Sequence, residues 1–331
     1  MSGGIAQLVA IGAQDAHLVG QPEVSFFRSN YKRHTNFAQT VERQTIQGNP
    51  SANGMSTVRF ERKGDMLGYV YLADRTANHV AWNTAVSKVE LLIGGQVIDE
   101  QTDDFIRWLA PVTMSQTYSK YKFNKQYFYP LKFSFCENAQ SAIPLVALQY
   151  HDVELRITWG SSSTPDAEVY AQFIHLDTDE RTSLANTPQN MLVTQTQKAI
   201  ASGSGIQELN FNHPIKYLVS YNGTTEYGVE KMKLQINGTD VTDAKSIVPH
   251  FTKAPVYYHT QNANSNSETV ILVPFCLDTS KLQPTGSLNF SRLDSARLVF
   301  EGSTTFSADF YGVNYNILRI ENGMGGLMYS N

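Results

Sequence analysis

Disulfide bonds cannot hold this chain together. Among its 331 residues only two are cysteine, Cys136 and Cys276. That number excludes a disulfide framework, so the fold must rest on buried apolar surface. The length suits two domains of roughly 150 residues, each with a full core. Charge is also sparse. Asp, Glu, Lys and Arg make up 17% of the chain, and the formal net charge is −4. This balance excludes a protein that neutralises a nucleic-acid backbone over a broad surface. Long apolar runs are missing as well. Stretches such as Ile143–Leu148 fall far short of the roughly 20 residues that a bilayer span requires. No basic residue precedes Arg28, which argues against a secretory leader, and Ser2 argues against N-myristoylation.

Metal and catalytic signatures are equally scarce. The eight histidines form no His-x-x-x-His pair and no His-Glu-x-x-His. Asp103 and Asp104 are adjacent carboxylates at a helix start, where the helix dipole favours negative charge without any acid–base role. Gly323-Met324-Gly325-Gly326 lacks the Lys-Ser/Thr of a phosphate loop. It reads instead as a tight turn before Leu327 and Tyr329. The run Tyr31-Lys32-Arg33-His34 is basic and aromatic and could face nucleic acid, but strand-end charge or a subunit contact is the plainer reading. Asn222, Asn237 and Asn289 each open an Asn-x-Ser/Thr triplet, read as chance in a chain without a leader. No catalytic, cofactor-binding or metal residue is nominated.

What the chain has in quantity is strand. Aromatics reach 11%, and period-two apolar alternation recurs from Val24 onward. The alternation also repeats. An offset of 140 residues carries Phe135 to Phe275, Cys136 to Cys276, Pro144 to Pro284 and Leu148 to Leu288. A hairpin repeats at an offset of 143, where Lys88, Leu91, Ile93 and Gly95 match Lys231, Leu234, Ile236 and Gly238. Ala308 and Phe310 are read as echoes of Ala171 and Phe173. The period is too long for a solenoid, so each copy should be a complete barrel or sandwich. Strands are expected at 23–30, 37–47, 55–62, 67–72 and 168–177. A helix is expected from Asp103 towards Tyr118, kinked or ended by Pro111. The fold expected is all-β: two tandem eight-stranded antiparallel jelly-roll barrels with a few short helices. The first barrel should cover residues 23–188 and the second 189–331, after an N-terminal arm at 1–22. In that arm Ile5, Leu8, Val9 and Ala16 fall on one small helical face, a candidate inter-subunit contact.

At this point the chain resembles a known family, the double jelly-roll major capsid proteins of nucleo-cytoplasmic large DNA viruses. The resemblance is carried by IGAQDAHLVGQPEVSFFRSNYKRHTNFA, VELLIGGQVID, PLKFSFCENAQSAIPLVALQYHDV, FIHLDTDER, LNFNHPIKYLV, QPTGSLNFSRLD and NYNILRIENGMGGLMYSN, in that order across nearly the whole chain. The connections between strands are short beside the family's usual members. The resemblance implies a structural capsid protein, not an enzyme and without cofactor. It implies a homotrimer forming pseudo-hexagonal capsomers that tile an icosahedral shell. Partners would be neighbouring capsomers and penton or minor capsid proteins, with no sequence-specific nucleic acid; contact with an internal membrane stays open. The protein would be made in the host cytoplasm and end in the virion. The alternative is a jelly-roll decoration, vertex or fibre protein, carbohydrate-binding, with exposed aromatics on one barrel rim.

Overall fold

The computed structural model describes residues 12–76, 80–114, 127–162, 166–203, 205–221, 231–261, 269–302 and 306–330. The chain divides into two units, Met1–Asn36 and Phe37–Asn331. In the first, Ala13–Asp15 form a 3-10 turn and Ala16–Val19 one helical turn. The Asp15 carboxylate accepts from the Gly12 amide at 2.6 Å. No strand follows before Phe37, which corrects the strand expected at 23–30. The apolar residues are there, but no neighbouring strand pairs with them, and a lone strand cannot satisfy its backbone.

Among the described residues, the second unit forms four antiparallel sheets. The principal strands in chain order are β1 (Phe37–Gln44), β2 (Met55–Arg59), β3 (Met66–Asp74), β4 (Val86–Ile93), β5 (Gln96–Thr102), β6 (Phe128–Pro130), β7 (Val153–Trp159) and β8 (Ala167–Leu176). They are followed by β9 (Gln189–Ala199), β10 (Ile206–Glu208), β11 (Pro214–Tyr221), β12 (Lys231–Ile236), β13 (Thr239–Asp240), β14 (Val270–Pro274), β15 (Ala296–Glu301) and β16 (Phe310–Glu321). A further strand, β17 (Met324–Leu327), pairs with the end of β16. Sheet orders are β1-β8-β3-β6 and β2-β7-β4-β5, then β9-β16-β11-β14 and β10-β15-β12-β13. Each strand in the first pair of sheets has its counterpart eight strands later, in the same place. This is a double jelly roll.

Helices are short. A π-helical turn at Phe105–Leu109 runs into α1 (Ala110–Thr113), with Pro111 in its first turn, where a missing amide hydrogen costs nothing. Between the barrels lies α2 (Thr178–Asn186), capped by the Asp177 carboxylate, which accepts from Thr178 N at 2.8 Å. In the second barrel, α3 (Lys253–His259) occupies the place corresponding to α1 in the strand order.

Strand pairing locates the repeat residue by residue. The hairpin register of 143 holds, with Leu91 opposite Leu155 and Leu234 opposite Leu298. Both hairpins close with two left-handed residues, Gly94-Gly95 (φ +57° and +82°) and Asn237-Gly238 (+49° and +77°). These are the turns whose twist matches paired strands. The block register of 140 does not hold. The bulges at Leu67–Val70 and Ile215–Tyr217 correspond, and each is paired by a short strand, at Ile143–Pro144 and Leu288–Asn289. Ile143 is therefore equivalent to Leu288, and Pro144 to Asn289 rather than to Pro284. By the same bulges Ala171 and Phe173 match Gly312 and Asn314, not Ala308 and Phe310. The connections differ in length between copies, so a single offset cannot carry the whole block. Nor is Ser134–Glu137 a strand. It is a helical turn that buries Phe135 and Cys136 side by side, which period-two alternation forbids.

The first core is filled by residues such as Leu67, Val70, Leu155, Ile157 and Phe173, all nearly or fully buried. Each contributes roughly 1.5–3 kcal/mol by leaving water. Trp159, also in this core, donates from its indole to Ser56 Oγ at 2.8 Å. The sheet β9-β16-β11-β14 serves two cores at once. Ile215, Leu218, Ile271, Val273 and Phe310 point into the second barrel. Their alternates Tyr217, Val219, Val270, Leu272, Tyr311 and Val313 pack with the first.

Candidate assembly surfaces

The two barrels meet along a seam built from unlike edges. Edge strand β5 of the first barrel faces edge strand β9 of the second. Thr196 N donates to Asp99 Oδ1 at 2.7 Å, and Gln195 Nε2 donates to the Ile98 carbonyl. The π-helical turn and α1 then reach across the outer face of β16 and β11. Tyr217 donates its hydroxyl to Thr113 Oγ1 at 3.0 Å, and Thr102 and Tyr311 share a hydrogen bond of 2.8 Å. Phe105 and Tyr311 sit ring to ring at 5.7 Å, and Trp108 stacks flat on Tyr221 at 4.5 Å. Apolar rings whose hydroxyls at Tyr217 and Tyr311 are paired suit a permanent joint.

Ionisable groups lie in this joint. Asp99 is buried, and burial pushes its carboxyl up to about 7 despite hydrogen bonds from Thr196, Gln101 and Glu100. Burial lifts Asp103 to about 6, against the pull of Arg107 at 2.6 Å and the Tyr129 hydroxyl at 3.1 Å. Deeper along the seam is a cavity of about 50 Å³ lined by Glu137, Lys216, Lys281 and Tyr315 among others. Lys216 is buried and lies 5.7 Å from the Tyr315 ring; burial lowers its ammonium below the ordinary lysine value.

A second link runs through the glycine-rich segment near the end of the chain. Tyr150 N donates to Gly323 O at 2.9 Å, and Leu327 N to Gln96 Oε1 at 3.2 Å. His151 Nδ1 lies 2.9 Å from the carbonyl oxygen and 3.2 Å from the amide nitrogen of Gly325. A Cβ on Gly325 would come within 2.7 Å of Leu148. The glycines thus do more than turn the chain: they let β17 lie flat against the rim of the first barrel.

The first barrel's own β1-β8-β3-β6 sheet is different. Its inner face fills the core, but its outer face carries Tyr69, Tyr71 and Tyr170. Tyr71 stacks on Tyr170 at 5.4 Å and on Tyr69 at 6.4 Å. Tyr170 donates to Glu168, which Arg43 holds from the other side at 2.8 Å. Edge strand β1 is exposed over most of its length, with Phe37 and Val41 facing solvent. No periodicity argument separates this open face from the covered one, because both barrels alternate in the same way.

Of the four residues nominated for the arm, Ile5, Leu8 and Val9 lie outside the described residues, and Ala16 is exposed. Among the described residues no cluster of His, Cys, Asp or Glu could hold a metal. None of the helices described is long and apolar enough to cross a membrane. Cys136 and Cys276 are both free and buried, and burial raises the Cys136 thiol to about 12. Asn237 and Asn289 have structural work: Asn237 Oδ1 accepts from Asp294 N and Ser295 N, and Asn289 caps the turn at Ser291.

Comparison with known proteins places this architecture. Residues 25–164 match the model of the major capsid protein N-terminus, and residues 220–326 match that of the large eukaryotic DNA virus major capsid protein. The major capsid protein of Pyramimonas orientalis virus is 34% identical over 397 aligned positions, covering all of both chains. The chain belongs to the major capsid protein family of large eukaryotic DNA viruses. The major capsid protein of Paramecium bursaria Chlorella virus 1 is 29% identical over 440 positions, again covering both chains fully. A chain of the PBCV-1 virus capsid superposes with a TM-score of 0.75 at 26% identity, over 93% of this chain and all of that one. The Faustovirus major capsid protein shares the fold alone, with a TM-score of 0.63 at 10% identity over 94% of each chain. This is therefore a capsid protein, a structural component of the virion. Both alignments run well past 331 positions, so these relatives carry segments that this chain lacks, in keeping with its short connections.

Proposed function

We propose that three copies of this chain close into a pseudo-hexagonal capsomer, and that such capsomers tile an icosahedral shell. One observation carries the reading: the seam within the chain joins unlike edges. The β5 side of the first barrel meets the β9 sheet of the second. That leaves the β1 sheet open on the first barrel and the β13 side open on the second. These are the same two surfaces, one repeat further along. A head-to-tail joint closes into a ring when its rotation divides the circle, and about 60° per barrel closes six barrels, hence three chains. Flat flanks then remain for neighbouring capsomers, and ring vertices for penton or minor capsid proteins. The stretch just after the arm, with Phe26 and Phe27 almost fully exposed, suits contact with such a neighbour better than with solvent. Whole-length similarity to major capsid proteins favours this over a decoration or fibre role. Negative-stain imaging of purified protein tests it: three-fold particles and hexagonal sheets are expected. Dispersed monomers that bind glycan would overturn it in favour of the decoration role.

A further inference from the structure

We infer that α3 and the segment following β14 of one copy cover the tyrosine face of the β1-β8-β3-β6 sheet of a second copy. This rests on the three-copy reading and goes beyond it by naming the joint. Within the chain, the covered β9-β16-β11-β14 sheet is capped by two pieces of the first barrel. One is the connection after β5, the π-helical turn and α1. The other is the connection after β6, which contains Ser134–Glu137 and lines the seam cavity. Their counterparts in the second barrel are the connection after β13, which contains α3, and the residues after β14. Both counterparts are anchored on their inner side, where Val256, Cys276 and Thr279 are buried, but each leaves large side chains uncovered in the single chain. Tyr257 is 72% exposed, Tyr258 76% and Leu277 75%. The sheet face they would meet is the one left open in the first barrel, where Val41 is 43% and Tyr69 41% exposed. Large exposed apolar groups thus occur on both halves of the missing joint, at the places where the existing joint buries its own.

The chemistry matches on the two sides. α3 already anchors its inner side through buried Val256, while Tyr257 and Tyr258 stand edge to face at 5.0 Å and project outward. Tyr71, Tyr170 and Tyr69 offer stacked rings with hydroxyl tips. Such pairs gain from ring contact and keep their hydroxyls paired with little side-chain entropy lost. The joint should copy the Trp108–Tyr221 and Tyr217–Thr113 contacts in kind, with tyrosine meeting tyrosine in place of tryptophan.

The test uses the full chain in two arms. In the first, a benzophenone side chain at position 258 is irradiated in assembled protein, and the linked peptides are mapped. Links to the peptides holding Tyr69–Tyr71 or Tyr170 of another copy are expected. In the second, Tyr257→Asp with Tyr258→Asp, and separately Tyr69→Asp with Tyr170→Asp, are followed by analytical ultracentrifugation. Each pair should weaken association roughly tenfold or more, while circular dichroism and the unfolding midpoint of the dissociated chain stay near wild type. Trimers that persist unchanged in both pairs, with links mapping elsewhere, overturn the joint and leave the three-copy reading standing. A wild-type chain that stays monomeric at every concentration overturns both.

Discussion

One kind of sheet occurs twice in this molecule and has two different surroundings. In β9-β16-β11-β14 the strands β16, β11 and β14 are buried on both faces, because the first barrel lies across their outside. β1-β8-β3-β6 is buried on one face only. The strands record the difference. β16 is buried at nearly every position, whereas β8 alternates buried with half-buried residues. The half-buried set on β8 includes Glu168, Tyr170 and Gln172, and β3 adds Tyr69 and Tyr71, which puts three tyrosine rings among the polar groups of this face. Exposure in the single chain therefore measures which neighbour is missing, and the open sheet is dressed for one.

The largest effect should separate the two sheets directly. Tyr217→Ala removes a fully buried ring and its bond to Thr113, and should cost about 3–5 kcal/mol in urea unfolding. Tyr69→Ala, on the open sheet, should cost under about 1 kcal/mol in the dissociated chain. Equal costs would break the comparison. Next comes pH. Asp99 and Asp103 titrate higher in the fold, at about 7 and about 6, than the ordinary 3.8. The folded chain thus holds protons that the unfolded chain has released. Their contribution to stability is fully present below about pH 4 and is lost as pH rises through 6 and 7. Between pH 5.5 and 8 the unfolding midpoint should fall as pH rises. At about 1.4 kcal/mol per pKa unit, Asp99 accounts for up to roughly 4 kcal/mol over the whole range from about pH 4 to 8, about half of it above pH 5.5. Asp99→Asn should flatten most of that slope. A profile that rises with pH, or is unchanged by the substitution, would count against a buried ionisable seam.

Smaller again is the arm. Deleting residues 2–20 should shift the melting temperature by only a few degrees, roughly what about 1 kcal/mol does. Trimers should survive while larger sheets fail or lose order. Unfolding would make the arm part of a core; undiminished assembly would remove its docking role.

Much of the fold was legible because strand alternation and turn chemistry are local. The Gly94-Gly95 and Asn237-Gly238 hairpins stand in the register read from the sequence. The block register did not survive, since Pro144 and Pro284 sit in connections of different length, and a shared residue type there is no guide to place. The helical turn at Ser134–Glu137 and α3 were missed for a related reason. Each is one or two turns long, too short for a 3.6-residue period to stand out. The seam was not legible at all. Whether Tyr217 or Tyr69 is covered depends on what lies across the sheet, and alternation reports only that one face is apolar. Four residues of the arm were nominated by spacing, and a surface for them is a matter of neighbours too.

The claim that the open face belongs to another copy is tested most directly by hydroxyl-radical footprinting of tyrosines in assembled and dissociated protein. Tyr69, Tyr257 and Tyr258 should react freely in the dissociated chain and be protected on assembly. Tyr150, 76% exposed at the rim of the first barrel and away from that face, should stay reactive throughout. Equal reactivity of Tyr69 in both states would contradict the account.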